Sequence, residues 1–199
     1  MIIAIDGPSA SGKGTIGRAV AERLGYHYLD TGALYRMVGL EVMRLGLDPG
    51  DEADCARVAA ALQPADFNNA DLRGELVGGY ASKVAVLPAV RHALLKLQRD
   101  FAGQKPGAVL DGRDIGTVIC PDADFKFYIT ASVEARAQRR HLEAPEIPLA
   151  TIKAEIEARD LRDATRATAP LKPADDAVVI DTSEMSIEGA VAKVMELVR

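Results

Sequence analysis

Short apolar runs and helix-period patterns alternate along this chain. Residues 2–5 are a continuous apolar run that stops at Asp6-Gly7-Pro8, too short for a helix, so they read as a strand buried on both faces. Over 13–24 the apolar positions Ile16, Ala19, Val20, Ala21 and Leu24 recur at helical spacing, and Gly25 supplies the stop. Residues 26–29 form a second candidate strand. The spacing predicts helices over 34–45 and 53–62, and a long helical pattern over 82–101 that Pro88 interrupts. Strands then return at 108–111 and 125–129, helices at 133–142 and 152–163, a last strand at 177–181 and a last helix at 187–198. Strands alternating with helices predict an α/β fold in which helices cover both faces of a parallel sheet. Two segments break the rhythm and are candidate mobile appendages. One is 64–79, with Asn68-Asn69 and Gly78-Gly79; the other is 139–173, bounded by Pro145, Pro148, Pro170 and Pro173 and dense in arginine.

Composition narrows the class. A chain of 199 residues is one domain's worth, with 48% hydrophobic and 27% charged residues arguing against disorder. A formal net charge of -5 and the absence of Trp argue against nucleic acid as a partner. The two cysteines, Cys55 and Cys120, have no companions at metal-ligand spacing, so neither a zinc site nor a disulfide framework is expected. No apolar run approaches the ~18 residues that span a bilayer, and no basic leader precedes the first strand. A cytoplasmic protein without a membrane partner is therefore expected.

The chemistry begins at Gly7-Pro8-Ser9-Ala10-Ser11-Gly12-Lys13-Gly14-Thr15. This nearly matches the P-loop, whose glycines let backbone N–H groups cradle phosphate oxygens at a helix N-terminus. Lys13 would reach the β- and γ-phosphates of a bound nucleotide. Gly14 follows the lysine where Ser or Thr is usual, so the hydroxyl available to Mg²⁺ comes one place later, at Thr15. A strand before the loop and a helix after it are the context a P-loop requires. A GTP-dependent switch protein shares the loop but needs an Asn-Lys pair further on, and the sequence has none.

Two more constellations sit at predicted strand ends, where ligands of open α/β sheets bind. Asp30-Thr31-Gly32-Ala33-Leu34-Tyr35-Arg36 brings a hydroxyl and a guanidinium together. Asp111-Gly112-Arg113-Asp114-Ile115-Gly116-Thr117 offers Asp111 to Mg²⁺ through water and Arg113 to phosphate. With the phosphate loop and with Arg159-Asp160-Leu161-Arg162-Asp163-Ala164-Thr165-Arg166, these blocks occur in the order found in bacterial cytidylate kinases, and the chain resembles that family over nearly its whole length. The resemblance implies a three-layer nucleoside monophosphate kinase fold around a five-stranded parallel sheet. It implies one domain over 1–199, with its core in 1–63, 102–138 and 174–199. A shortened acceptor-binding insert at about 64–101 and an arginine-rich lid at about 139–173 complete it. The activity implied is transfer of the γ-phosphoryl group of ATP to CMP and dCMP with Mg²⁺, by a monomer. A kinase of another monophosphate, of the UMP/CMP type, is the alternative.

By the same resemblance Thr31, Arg36, Ser82, Arg91, Arg113, Asp114, Arg159 and Asp163 bind CMP. Arg36 and Arg113 hold its phosphate, Ser82, Arg91 and Asp114 face the base, and Arg159 and Asp163 hold the sugar. Arg166 meets the transferring phosphate, Arg162 belongs with ATP, and Lys13, Arg36, Arg113 and Arg166 form the catalytic set. Of the 24 basic residues 16 are arginine, and six of these lie between Arg136 and Arg166. Planar forks suit phosphate better than ammonium groups do, and two like charges four apart, as at Arg162 and Arg166, repel unless an anion lies between them.

Overall fold

A computed structural model describes residues 1–62, 72 and 75–198. It contains a five-stranded parallel sheet, ordered β2-β3-β1-β4-β5. The strands are β1 (Ile2–Asp6), β2 (His27–Asp30), β3 (Ala108–Gly112), β4 (Phe125–Thr130) and β5 (Val178–Asp181). Central β1 pairs Asp6 with Gly112 of β3 on one side and with Tyr128 of β4 on the other. All five strands are the predicted ones. The helices are α1 (Lys13–Leu24), α2 (Thr31–Arg44), α3 (Glu52–Ala61), α4 (Glu75–Val84), α5 (Pro88–Ala102), α6 (Val133–Glu143), α7 (Leu149–Thr165) and α8 (Ile187–Leu197), and a π-helical turn, Ile115–Ile119, follows β3.

The chain divides into two compact units, Met1–Leu29 with Ala102–Arg199, and Asp30–Phe101. The first owes its core to the pattern read above: Ile3, Ile5, Val109, Phe127, Ile129 and Ile180 of the sheet pack with Ile16, Val20 and Ala21 of α1 and with Val191 and Val194 of α8. Beside this core α6 and α7 form a helical pair around Ala137, Ile152 and Ile156. Ser132 caps α6 through Ala135 N–H, and Lys153 on α7 reaches Glu134 on α6 at 2.6 Å.

In the second unit Asp30 caps α2, accepting from Ala33 N–H at 3.1 Å, so the helix starts three residues before the predicted Leu34. A Cβ on Gly39 of α2 would lie 2.7 Å from the backbone nitrogen of Ala81 on α4, so only glycine permits this approach. That packing also explains why α4 runs through Gly78-Gly79, which read as loop in the sequence: tertiary contact outweighs a glycine cost of ~1 kcal/mol each. Residues 64–71 and 73–74 of the first expected appendage lie outside the described residues. Its remainder, 75–79, is helical. The chain turns at 85–87 and restarts as α5 at Pro88, a residue suited to a first helical position. Cys55 and Cys120 are free thiols, both buried as small apolar groups.

Candidate active site

The phosphate loop leaves the C-terminal end of β1, the middle strand, and enters α1 at Lys13. At Gly7 a Cβ would collide with the Ile129 carbonyl at 2.0 Å, and Gly12 caps α1 at φ 87°, a region that disfavours side chains. The outward side of the loop is tied down through its carbonyls. Lys13 Nζ donates to Pro8 O at 3.4 Å, Arg136 to Ser9 O at 3.3 Å, and Thr182 Oγ1 to Ser11 O at 3.1 Å. Each peptide is planar and trans, so the N–H groups of Ala10 and Gly12, which share the peptides held by Arg136 and Thr182, point away from those two partners. Arg136 was not singled out in the sequence. It is 4% exposed, donates to Ala131 O at 2.9 Å and pairs with Asp160 of α7 at 2.7 Å, so one buried guanidinium joins the phosphate loop to the arginine-bearing helix. Arg139 likewise binds the hydroxyl and the carbonyl of Thr182.

At the end of β3, beside the loop, Asp111 is 3% exposed and accepts from the Tyr28 hydroxyl at 2.5 Å. Arg113 follows and donates from Nε to Asp163 of α7 at 2.8 Å. Burial alone would raise the Asp163 pKa; the charge and hydrogen bond of Arg113, with the charges of Arg159 and Arg166, outweigh it and hold the carboxyl below the usual range. Asp114 is 5% exposed, with Arg166 3.5 Å away, and Arg166 also donates from Nε to Ala169 O at 2.6 Å. Thus Arg113, Asp114, Asp163 and Arg166, predicted from positions about fifty residues apart, form one cluster, with the Arg159 charge acting on it. Arg162 is exposed on α7, and Thr15 is exposed in the first turn of α1.

Another residue absent from the sequence reading is Asp6, the last residue of β1. It accepts from Ile115 and Gly116 N–H at 2.8 Å each, which anchors the turn immediately after Asp114. Burial raises its pKa to about 6; the two N–H bonds and Lys13 pull the other way, and Asp114 adds to the rise.

The second unit carries the remaining predicted residues. Arg36 pairs with Asp30 at 2.6 Å, each about a third exposed, and Thr31 is buried beside them in the chain. Arg91 is 7% exposed, donates to Ala85 O at 3.2 Å, and lies 5.6 Å from the centroid of the Tyr35 ring. Ser82 is half-buried near the end of α4.

Among the described residues no group of three or more acidic, His or Cys side chains is arranged to hold a metal. Mg²⁺ bound with a nucleotide needs only one or two carboxylates, the rest of its shell being phosphate and water. A buried carboxylate at Asp111 beside the loop, with the Thr15 hydroxyl, fits that requirement.

A glycine-rich loop of phosphate-loop pattern at the carboxyl end of a parallel sheet, braced by the buried Arg136 of a neighbouring helix, defines a P-loop phosphotransferase. The cytidylate kinase family model matches residues 3–199, and the chain belongs to that family. It is similar to the cytidylate kinase of Bradyrhizobium sp. (strain ORS 278), with 52% identity over 202 residues, covering 100% of this chain and 95% of the relative. It is equally similar to that of Paramagnetospirillum magneticum, 52% over 204 residues, covering 99% and 97%. The fold is shared with a crystal structure of an uncharacterized protein from Eubacterium ventriosum, at TM-score 0.59 and 14% identity, covering 100% of this chain and 98% of that one.

Proposed function

We propose that the protein phosphorylates CMP and dCMP to the diphosphates, with ATP as donor. The observation that carries this reading is the buried cluster of Arg113, Asp114, Asp163 and Arg166 at the end of β3, in the same unit as the phosphate loop. The acceptor's phosphate is largely a dianion at pH 7, since its second pKa is ~6, so no general base is required. The obstacle is to bring two anions into line. Lys13 and the loop N–H groups hold the γ-phosphate, while Arg113, Arg36 and Arg166 neutralise the charge that develops between donor and acceptor. Asp111 and Thr15 would hold Mg²⁺, which when bound supplies further charge neutralisation on the β- and γ-phosphates.

Asp114 accepts from the cytosine amine and Arg91 donates to the ring nitrogen, with Ser82 as a further contact to the base; Arg159, Asp163 and Thr31 complete the hold on the nucleoside, and Arg162 serves ATP. Residues 64–101 form the acceptor-binding insert and 139–173 the lid of a single kinase domain, which excludes water as a competing acceptor. Among the described residues no helix is long and apolar enough to cross a membrane. The test is ADP release in a coupled assay with CMP, dCMP, UMP and AMP as separate acceptors. CMP and dCMP should be used far better than the others; equal use of AMP overturns the proposal.

A further inference from the structure

The chain departs from the usual phosphate-loop pattern at Gly14, where Ser or Thr normally follows the lysine. A Cβ built on Gly14 would lie 3.3 Å from Asp111 Oδ2, a tight contact, and 3.5 Å from the Tyr28 hydroxyl oxygen, an ordinary one, so a side chain here starts against that pair. The pair is close, with the phenol donating to the carboxylate at 2.5 Å. The ring that delivers the phenol is itself fixed. Its Cε2 would stand 3.2 Å from a Cβ on Gly17, one turn along α1 from Gly14, and the Arg18 guanidinium sits 4.7 Å from its centroid. Tyr28 therefore lies along a face of α1 that two glycines leave bare, with its hydroxyl 3.5 Å from where a side chain at 14 would begin.

We infer that Tyr28 is a positioning residue that orients the Asp111 carboxylate toward the Mg²⁺ of the bound nucleotide, its hydroxyl entering beside the side-chain space that Gly14 leaves open. The final torsion of an aspartate is broad and roughly two-fold, so a carboxylate at a strand end has no fixed aim of its own. A charge-assisted O–H···O⁻ bond supplies one, as the partners of metal-bound carboxylates commonly do. The inference rests on the reading of Asp111 as the carboxylate that serves Mg²⁺.

Tyr28→Phe tests it with minimal risk to folding, since the ring, its packing on Gly17 and its contact with Arg18 all remain. Two readouts are needed: Mn²⁺ affinity of the enzyme–ATP complex by electron paramagnetic resonance, and the Mg²⁺ concentration for half-maximal activity. Asp111→Asn is the reference variant. Both substitutions should weaken Mn²⁺ binding, Tyr28→Phe by about 10-fold, the low end for such partners, with ATP binding in the absence of metal unchanged. If Asp111→Asn loses Mn²⁺ and Tyr28→Phe does not, the positioning role is overturned while the reading of Asp111 stands. If Asp111→Asn binds Mn²⁺ normally, the reading of Asp111 fails and takes the role of Tyr28 with it.

Discussion

Asp114→Asn is the most informative perturbation of the acceptor side, because Asp114, proposed to read the base, is also the ion-pair partner of Arg166. Cytosine presents an amine donor beside a ring-nitrogen acceptor, the pattern that a carboxylate acceptor and a guanidinium donor complement, as proposed for Asp114 and Arg91. Uracil reverses both, so in the wild type it leaves buried polar groups mispaired at ~1–3 kcal/mol each. Asn can turn its amide to donate to the uracil carbonyl, removing one mismatch. At about 1.4 kcal/mol per decade, the CMP-over-UMP ratio of kcat/KM should narrow by at least ~10-fold. A second effect follows from the geometry. Arg166 and Asp114 have side chains only 6% and 7% exposed, so Asn leaves a buried guanidinium without its 3.5 Å counter-charge. The contact is an ion pair without a hydrogen bond, so its loss is taken at about 1.4 kcal/mol, below the ~3–5 kcal/mol for breaking a fully formed buried pair. Turnover with CMP should therefore fall ~10-fold as well, which a residue that only read the base would not cause. Coupled ADP-release kinetics with CMP, dCMP and UMP, alongside an ATP titration, measure both quantities. An unchanged CMP-over-UMP ratio in a folded variant with normal ATP affinity would refute the assignment of Asp114 to the base.

Lys13→Ala should cut kcat by several orders of magnitude without unfolding the protein, since its charge acts on the transferring phosphate; near-normal turnover would exclude it from catalysis. Arg166→Lys keeps the charge but loses the planar fork, so kcat should fall markedly and the KM for CMP much less, as steady-state kinetics will show. Arg136→Met should lower stability to urea by about 3 kcal/mol, the low end for breaking a buried pair, because Asp160 is a quarter exposed; it should also weaken ATP binding, and normal affinity would argue against the tie to Ser9. For Asp6, whose pKa is raised to about 6 in the folded protein, the folded state holds its proton more tightly than the unfolded chain does. The associated stabilisation is fully present below ~4 and is lost as pH rises through ~6, so acidifying from pH 7 to pH 5 should add about 1 kcal/mol from this group. Asp163 is lowered instead and loses its contribution only below ~4, outside that window. Urea unfolding at the two pH values should show the gain in the wild type and not in Asp6→Asn.

What the sequence disclosed and what it withheld divide along a physical line. The apolar runs 2–5, 108–111, 125–129 and 177–181 became strands because each is bounded by Gly, Pro or Asp and has no helical period long enough to compete. The loop at 7–15 was legible because its residues act through backbone geometry that is local. Asp6, Tyr28 and Arg136 were not, for their partners lie 109, 83 and 127 positions away in the chain. Nothing local marks Tyr28 as the partner of a carboxylate or Arg136 as the brace of a phosphate loop. The π-helical turn at Ile115–Ile119 escaped for the same reason: its first N–H groups are satisfied by a carboxylate from another strand.

The same line explains how a chain with a net charge of -5 handles anionic substrates. Net charge describes the distant field, which falls off over a Debye length of ~8–10 Å. Two of the arginines proposed to meet phosphate are held in place by acidic partners: Asp163 holds Arg113, and Asp30 holds Arg36. Each carboxylate cancels charge at long range, yet it fixes one edge of a guanidinium and leaves the fork's other donors already aimed. Replacing Asp163 by Asn makes the protein less acidic, and on a net-charge argument it should bind phosphates better. On the present argument it binds CMP worse, because the charge-assisted bond from Arg113 at 2.8 Å becomes a weaker neutral one, and the loosened guanidinium must be ordered again with every substrate bound, at a cost of up to ~0.5–1.5 kcal/mol. A tighter KM for CMP in Asp163→Asn would favour the net-charge view and sink the positional one.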